Sequence, residues 1–100
     1  MNPINLILNE EGHGAFFIME KEKRIAEMVF GIHDGQLTVY HTEVDPAAEG
    51  KGLAGQLLQE MVKYAREKNL QVIPLCPYVL AQFKRHSADY ADIWKIENVK

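Results

Sequence analysis

Cysteine is nearly absent from this chain of 100 residues. The single one, Cys76, has no partner for an internal disulfide, so a reducing cytoplasm is the expected compartment. Serine is as scarce: Ser87 stands alone with no GxSxG elbow around it, which leaves a Ser-His-Asp hydrolase without a placed nucleophile. There is no CxxC pair, and no two histidines fall four apart on a helical stretch, so no metal centre is expected. No apolar run approaches the roughly 18 residues needed to span a bilayer. The first eight residues carry no basic segment and Asn9-Glu10-Glu11 ends their apolar stretch, so neither a signal peptide nor a membrane partner is expected. Positive charge is not in excess either. A net charge of −3 with a pI near 5.8 argues against a nucleic-acid partner. The familiar nucleotide loops, GxGxxG and GxxxxGK[ST], are missing as well.

What remains is ordinary globular material, 47% hydrophobic and 25% charged, of a length that suits one domain. Asn9 to Gly14 reads as a polar turn. Ala15 to Glu20 reads as a short strand, and Lys21-Glu22-Lys23 as a charged turn. In Arg24 to Ile32 the residues Ala26, Met28, Phe30 and Ile32 alternate with Glu27 and Gly31, the period of a strand. His33-Asp34-Gly35-Gln36 holds an Asp-Gly pair, a strong hairpin signal, and Leu37 to Val44 follows as the partner strand. Three strands joined by short turns make an antiparallel meander. The period then changes: Leu53, Ala54, Leu57, Leu58, Met61, Val62 and Ala65 form one helical stripe, with Asn69 as a left-handed stop. Leu70 to Leu75 reads as a short buried strand, so this helix is a crossover between parallel strands. Pro77 suits the first turn of another helix ending near His86. Tyr90 to Ile96 fits either a strand or a docked coil, with Trp94 tucked into the body.

Three places can carry chemistry. The first is the segment from Val44 to Gly55, where a glycine-rich turn opens the best helix in the chain. Backbone N–H groups at a helix start, together with the helix dipole, make a cradle for a pyrophosphate. Gly50 and Gly52 leave room for close approach, and Lys51 adds a positive charge at the rim. The plainer alternative is a tight turn with a solvated lysine. The second is Cys76, placed by Pro77 at a helix N-cap, where partial positive charge favours a thiolate; its alternative is a small buried hydrophobe. The third is His41, near the end of the strand that leads into the loop, a side chain able to accept a proton at neutral pH. Strict alternation puts His41 and Glu43 on one face and Tyr40 and Thr42 on the other. Its alternative is a structural histidine bonded across the sheet.

Taken together, His41-Thr42-Glu43-Val44, Glu49-Gly50-Lys51-Gly52-Leu53-Ala54 and Pro74-Leu75-Cys76-Pro77-Tyr78 with Arg85-His86 resemble the small GCN5-related N-acetyltransferases of about a hundred residues. The glycine segment is similar to that family's coenzyme A loop, written (Gln/Arg)-x-x-Gly-x-(Gly/Ala). It departs from it at Glu49, where a carboxylate gives phosphate no help. The resemblance implies an α+β fold: a shortened acyl-coenzyme A N-acyltransferase fold with an antiparallel meander, a βαβ crossover and a C-terminal helix. The N-terminal helices that build much of the acceptor site in larger relatives are missing. The resemblance also implies acetyl-coenzyme A as cofactor and an amine as acceptor. The pyrophosphate would sit on the backbone of Gly50, Lys51, Gly52, Leu53, Ala54 and Gly55. The pantetheine arm would run between strand ends at Thr42, Glu43 and Val44 and at Pro74 to Cys76, with Tyr78 beside it. Two routes stay open: direct attack by the amine with His41 or a water taking its proton, and a covalent route through Cys76. Both side chains are expected within reach of the acetyl group. A module that binds coenzyme A or acetyl-coenzyme A without turnover is the alternative.

Overall fold

Asp34 and Gly35 both adopt positive φ, 51° and 75°, the conformation of a tight hairpin whose twist matches that of its strands. Around this turn a computed structural model describes residues 3–96. Four strands run antiparallel in chain order: β1 (Asn5–Leu8), β2 (His13–Glu20), β3 (Lys23–His33) and β4 (Gln36–Val44). Helix α1 (Leu53–Glu67) then crosses over, and β5 (Gln71–Pro74) adds to β4 in parallel. Helices α2 (Pro77–Arg85) and α3 (Ser87–Tyr90) follow. The tail then returns beside β5 through a single parallel bridge between Val72 and Trp94. The α+β class, the meander, the parallel crossover and the helix from Pro77 agree with the sequence reading, and Asn69 is left-handed at φ 56°.

Helix α3 and several boundaries differ, with β5 shorter than residues 70–75 and Lys23 already in β3. The sheet gains an edge strand, Asn5–Leu8, which pairs with residues 14–17 of β2. All four of its residues are exposed, so no buried face imposed the alternation by which strands are recognised. The first turn is also shorter than residues 9–14. Asn9 Oδ1 accepts the N–H groups of Glu11 at 2.9 Å and His13 at 3.0 Å, which closes the turn early and releases His13 and Gly14 to the strand.

The apolar stripe of α1 buries Leu53, Leu57, Leu58, Met61, Val62 and Ala65 against one face of the sheet, where Phe16, Ile18, Met28, Phe30, Leu37 and Val39 wait. Each such large side chain contributes about 1.5–3 kcal/mol on full burial. Phe16 stacks on Phe30 at 4.9 Å between ring centroids, and the Tyr64 ring meets Phe16 edge-on at 5.6 Å. Val79 and Phe83 of α2 join the same core, where Phe83 stacks on Tyr90 at 4.6 Å and meets Trp94 at 5.7 Å. The opposite face of the sheet has no helix over it among the described residues.

The end of α1 is clasped to the tail. Arg66 donates to both carboxylate oxygens of Asp92, at 2.9 and 3.1 Å, and to the Asp89 carbonyl at 2.7 Å. The Arg66 guanidinium holds the Asp92 carboxyl below its ordinary value of 3.8. A carboxyl depressed by folding adds stability that is fully present above its ordinary value and is lost as pH falls through the folded value. Asp92→Asn is therefore expected to lower the melting temperature at about pH 7, with the gap from the native protein closing as pH is taken below 3.8; calorimetry across that range reads it.

Candidate functional site

Between β4 and α1 the backbone makes a rigid passage. Asp45 caps a 3-10 turn (Pro46–Ala48), its Oδ1 accepting the Ala47 N–H at 2.9 Å. Its other oxygen pairs with the Lys23 ammonium at 2.7 Å, and these bonds, Lys23 first, keep the carboxyl below its ordinary range. Two left-handed residues follow, Gly50 at φ 85° and Gly52 at φ 74°, and Gly52 is the N-cap of α1. Among the described residues the N–H groups of Gly50, Lys51 and Gly52 reach no protein acceptor. Within α1 the earliest bond to a carbonyl four residues back is Gln56 N–H to Gly52. The N–H groups of Leu53, Ala54 and Gly55 have no such carbonyl inside the helix, as for any helix start. No side chain caps this end.

A groove of about 470 Å³ opens over these donors. It brings together Val44, Gly50, Gly52, Leu53, Ala54, Gly55 and Tyr78, as the sequence reading grouped them, and adds Ala48 and Glu49. The Tyr78 hydroxyl comes within 4.0 Å of where a β-carbon on Gly55 would lie. Burial above all pushes its phenol over its ordinary 10.0, so it stands in the groove as a neutral hydroxyl. Lys51 is exposed at the rim. On the other side of the helix start, Gly52 and Gly55 also border a groove that contains Gln56. The Gln56 amide oxygen is buried without a partner among the described residues. Nothing in the sequence pointed to this: Gln56 reads there as one more polar residue on the outer side of the helix.

The strands beside the groove part. Pairing of β4 with β5 runs from Gln36 with Gln71 to Val39 with Pro74 and stops. Pro74 has no N–H to continue a ladder, and the Cys76 N–H closes the pairing on the Val39 carbonyl at 2.9 Å. Residues 41–44 are then paired only with β3. Cys76 is the N-cap of α2 as expected, but its thiol does not cap the helix. It is 2% exposed and donates to Thr42 Oγ1 at 3.3 Å, across the gap between the two strands.

Strict alternation along β4 fails at one residue. Paired numbers in β3 and β4 sum to 69 from His33–Gln36 to Phe30–Val39, and to 70 from Val29–His41 to Ala26–Val44. Tyr40 is the extra residue, a β-bulge. Its ring lies against Gly31, and so on the helix-free face. Tyr40 therefore shares a face with His41 rather than with Thr42, contrary to the alternation. Beyond the bulge Thr42 and Val44 face the core side, opposite Met28 and Ala26. His41 and Glu43 face the helix-free side, where His41 Nε2 lies 3.4 Å from Glu43 Oε1. Glu27, opposite Glu43 in the ladder, joins them: one nitrogen or oxygen from each of the three lies within 4.8 Å of the others. Glu27 also accepts from Arg24 at 3.1 Å. The structure thus brings Cys76 to Thr42 and His41 to Glu43, but sets Cys76 and His41 on opposite faces of β4. Glu27 was visible in the sequence only as the polar partner in an alternation.

The described residues form a mixed five-stranded sheet with helices on one face and a pair of strands that separate beside a glycine-built helix start. The sequence profile described as GCN5-related N-acetyl-transferase matches residues 15–93, and the chain belongs to that family. A GCN5-like candidate N-acetyltransferase from Staphylococcus aureus has the same fold, with a TM-score of 0.70 and 24% identity over 98% of this chain and 94% of its own. The ribosomal-protein-alanine N-acetyltransferase of Brucella melitensis biovar Abortus 2308 aligns at TM-score 0.62 and 16% identity, covering 91% of this chain and 67% of its own. The ribosomal-protein-S18-alanine N-acetyltransferase of Escherichia coli aligns at 0.58 and 18%, over 64% of this chain but 42% of its own. No curated protein matches the sequence significantly.

The two kinds of glycine in the loop separate by substitution. Gly52→Ala forces a side chain into the left-handed region and is expected to cost about 1–2 kcal/mol. Gly55→Ala sits within the helix and is expected to gain up to about 1 kcal/mol. Urea unfolding midpoints of the two variants should move in opposite directions.

Proposed function

We propose that this protein is an acetyl-coenzyme A-dependent N-acetyltransferase acting on an amine acceptor, a protein lysine or a polyamine. The observation that carries the reading is the row of unpartnered backbone N–H groups at residues 50–55, opening on the groove beside the parting of β4 and β5. A pyrophosphate fits such donors without a charged side chain, which accounts for a working loop with Glu49 where the family's pattern has Gln or Arg. Gly50, Gly52, Leu53, Ala54 and Gly55 would hold the phosphates, with Lys51 at the rim. Residues 42–44, Pro74 and Tyr78 would flank the arm. When bound, the thioester supplies an acetyl group already activated for transfer.

Cys76 and His41 then suit different routes. Cys76 faces the gap with its proton committed to Thr42. In the covalent route its sulfur takes the acetyl carbon as the thioester bond breaks, and the thiol proton leaves with the departing sulfur. His41 faces the open side and suits direct attack, taking the proton of an incoming amine. Separation of these two side chains by β4 favours one active route rather than a Cys-His pair. It is also the observation that favours the second reading, a binding module without turnover.

Calorimetry with acetyl-coenzyme A tests the site. Gly55→Ala, although it strengthens the helix, narrows the groove and is expected to weaken binding by about tenfold; unchanged affinity would remove the loop from the site. Incubation with a panel of amines, read by mass spectrometry, separates the two readings, since acetylated product appears only with turnover. Cys76→Ala should abolish an acetylated protein thiol and slow transfer if the covalent route operates. Full turnover in that variant would return Cys76 to a packing role and make His41→Ala decisive.

A further inference from the structure

The sheet face without helices carries a second message, which rests on the acetyltransferase reading. Along it lie Phe17, Val29 and Ile73, half-buried, and Tyr40 and Leu75, 50% and 60% exposed. Beside Phe17 and Val29 in the ladders stand Glu27, His41 and Glu43. Two carboxylates directly opposite in a ladder repel each other; Arg24 pairs with Glu27, and Glu43 has the His41 imidazole at 3.4 Å beside it. An arriving cation relieves that repulsion. The further carboxylate that lines the same hollow as Glu27 and Glu43, Asp45, is already paired with Lys23 at 2.7 Å. Arg24, bonded to Glu27 at 3.1 Å, lies with its guanidinium 4.0 Å from the Phe17 ring centroid. A polyamine, with cations spaced along a flexible backbone, needs acidic groups along its track. This face instead complements one cation followed by apolar side chains.

We infer that the helix-free face is the docking surface for a polypeptide acceptor, which sets a lysine ammonium against Glu43 and Glu27 and lays apolar neighbours of that lysine on Tyr40, Val29 and Ile73. The bulge that turns His41 and Glu43 outward beside the parted strands puts the cation site next to the gap, so the docked amine and the gap are neighbours across β4. A flat, extended surface built from a sheet suits an extended peptide better than a small metabolite, which needs enclosure.

The test compares three acceptors with the full-length protein and acetyl-coenzyme A: a capped peptide with leucine on both sides of one lysine, the same peptide with serines in place of leucines, and spermidine. The leucine peptide is expected to show a KM about tenfold below the serine peptide. Tyr40→Ala and Ile73→Thr should raise the KM of the leucine peptide by about fivefold or more, and Tyr40→Phe should not. Neither should alter affinity for acetyl-coenzyme A. Glu43→Gln should raise KM for both peptides. Titration of the leucine peptide into the protein mixed with coenzyme A, read by calorimetry, follows the same variants without turnover. Transfer to spermidine as efficient as to the leucine peptide and indifferent to Tyr40→Ala overturns the docking surface while leaving the acetyltransferase reading intact. A dimer in sedimentation that Tyr40→Ala dissociates gives the face to a second copy and also overturns it. A protein that binds no acetyl-coenzyme A overturns both readings.

Discussion

One extra residue in one strand decides which side of the sheet each candidate group occupies. Without the bulge at Tyr40, the alternation that buries Leu37 and Val39 would drive His41 and Glu43 into the core and turn Thr42 and Val44 to solvent. Two unpaired polar side chains in an apolar core would cost several kcal/mol, so the bulge is as much a condition of folding as of function. It also bends and twists the strand locally, just where β5 ends at a proline. The Cys76–Thr42 contact across the gap and the outward His41–Glu43–Glu27 cluster both depend on that register.

Most of the fold was legible because strong periodic signals coincide with burial. The stripe from Leu53 to Ala65 reads as a helix since the core takes that whole stripe apart from the half-buried Ala54, and Asp34-Gly35 reads as a hairpin since few other pairs tolerate its dihedrals. The loop was legible for a related reason: Gly50 and Gly52 are where the backbone needs positive φ. The edge strand was not, because exposed residues are under no pressure to alternate. The bulge was not, because inserting one residue changes register without changing composition. The cluster around Glu43 depends on that register. Counting back from Asp34-Gly35 without the bulge sets Glu27 opposite Thr42, and the pair of carboxylates never appears.

The core is one-sided. Both α1 and α2 bury their apolar stripes on the same face, and no helix covers the other face among the described residues. This asymmetry follows from connectivity: right-handed crossovers that advance across a sheet in one direction place successive helices on one side. Among the described residues the strands themselves form the outer surface on the second side. The clasp from Arg66 to Asp92 serves the same arrangement, for it ties the end of the crossover helix to the tail that covers β5.

The loop glycines have a further consequence, one of handedness. Left-handed backbone is the mirror image of the conformation that an L-residue prefers, and it is therefore the relaxed conformation of a D-residue. A β-carbon built on Gly50 or Gly52 meets nothing within 4 Å. The passage into α1 is thus a pair of positions where an otherwise L-polypeptide keeps mirror-image geometry, with the achiral residue as the genetic code's only unstrained answer. If the polypeptide were made by chemical synthesis, D-alanine would find at either position the backbone conformation it prefers. The chirality demanded by the turn can in that way be separated from the bareness demanded by whatever settles on its N–H groups.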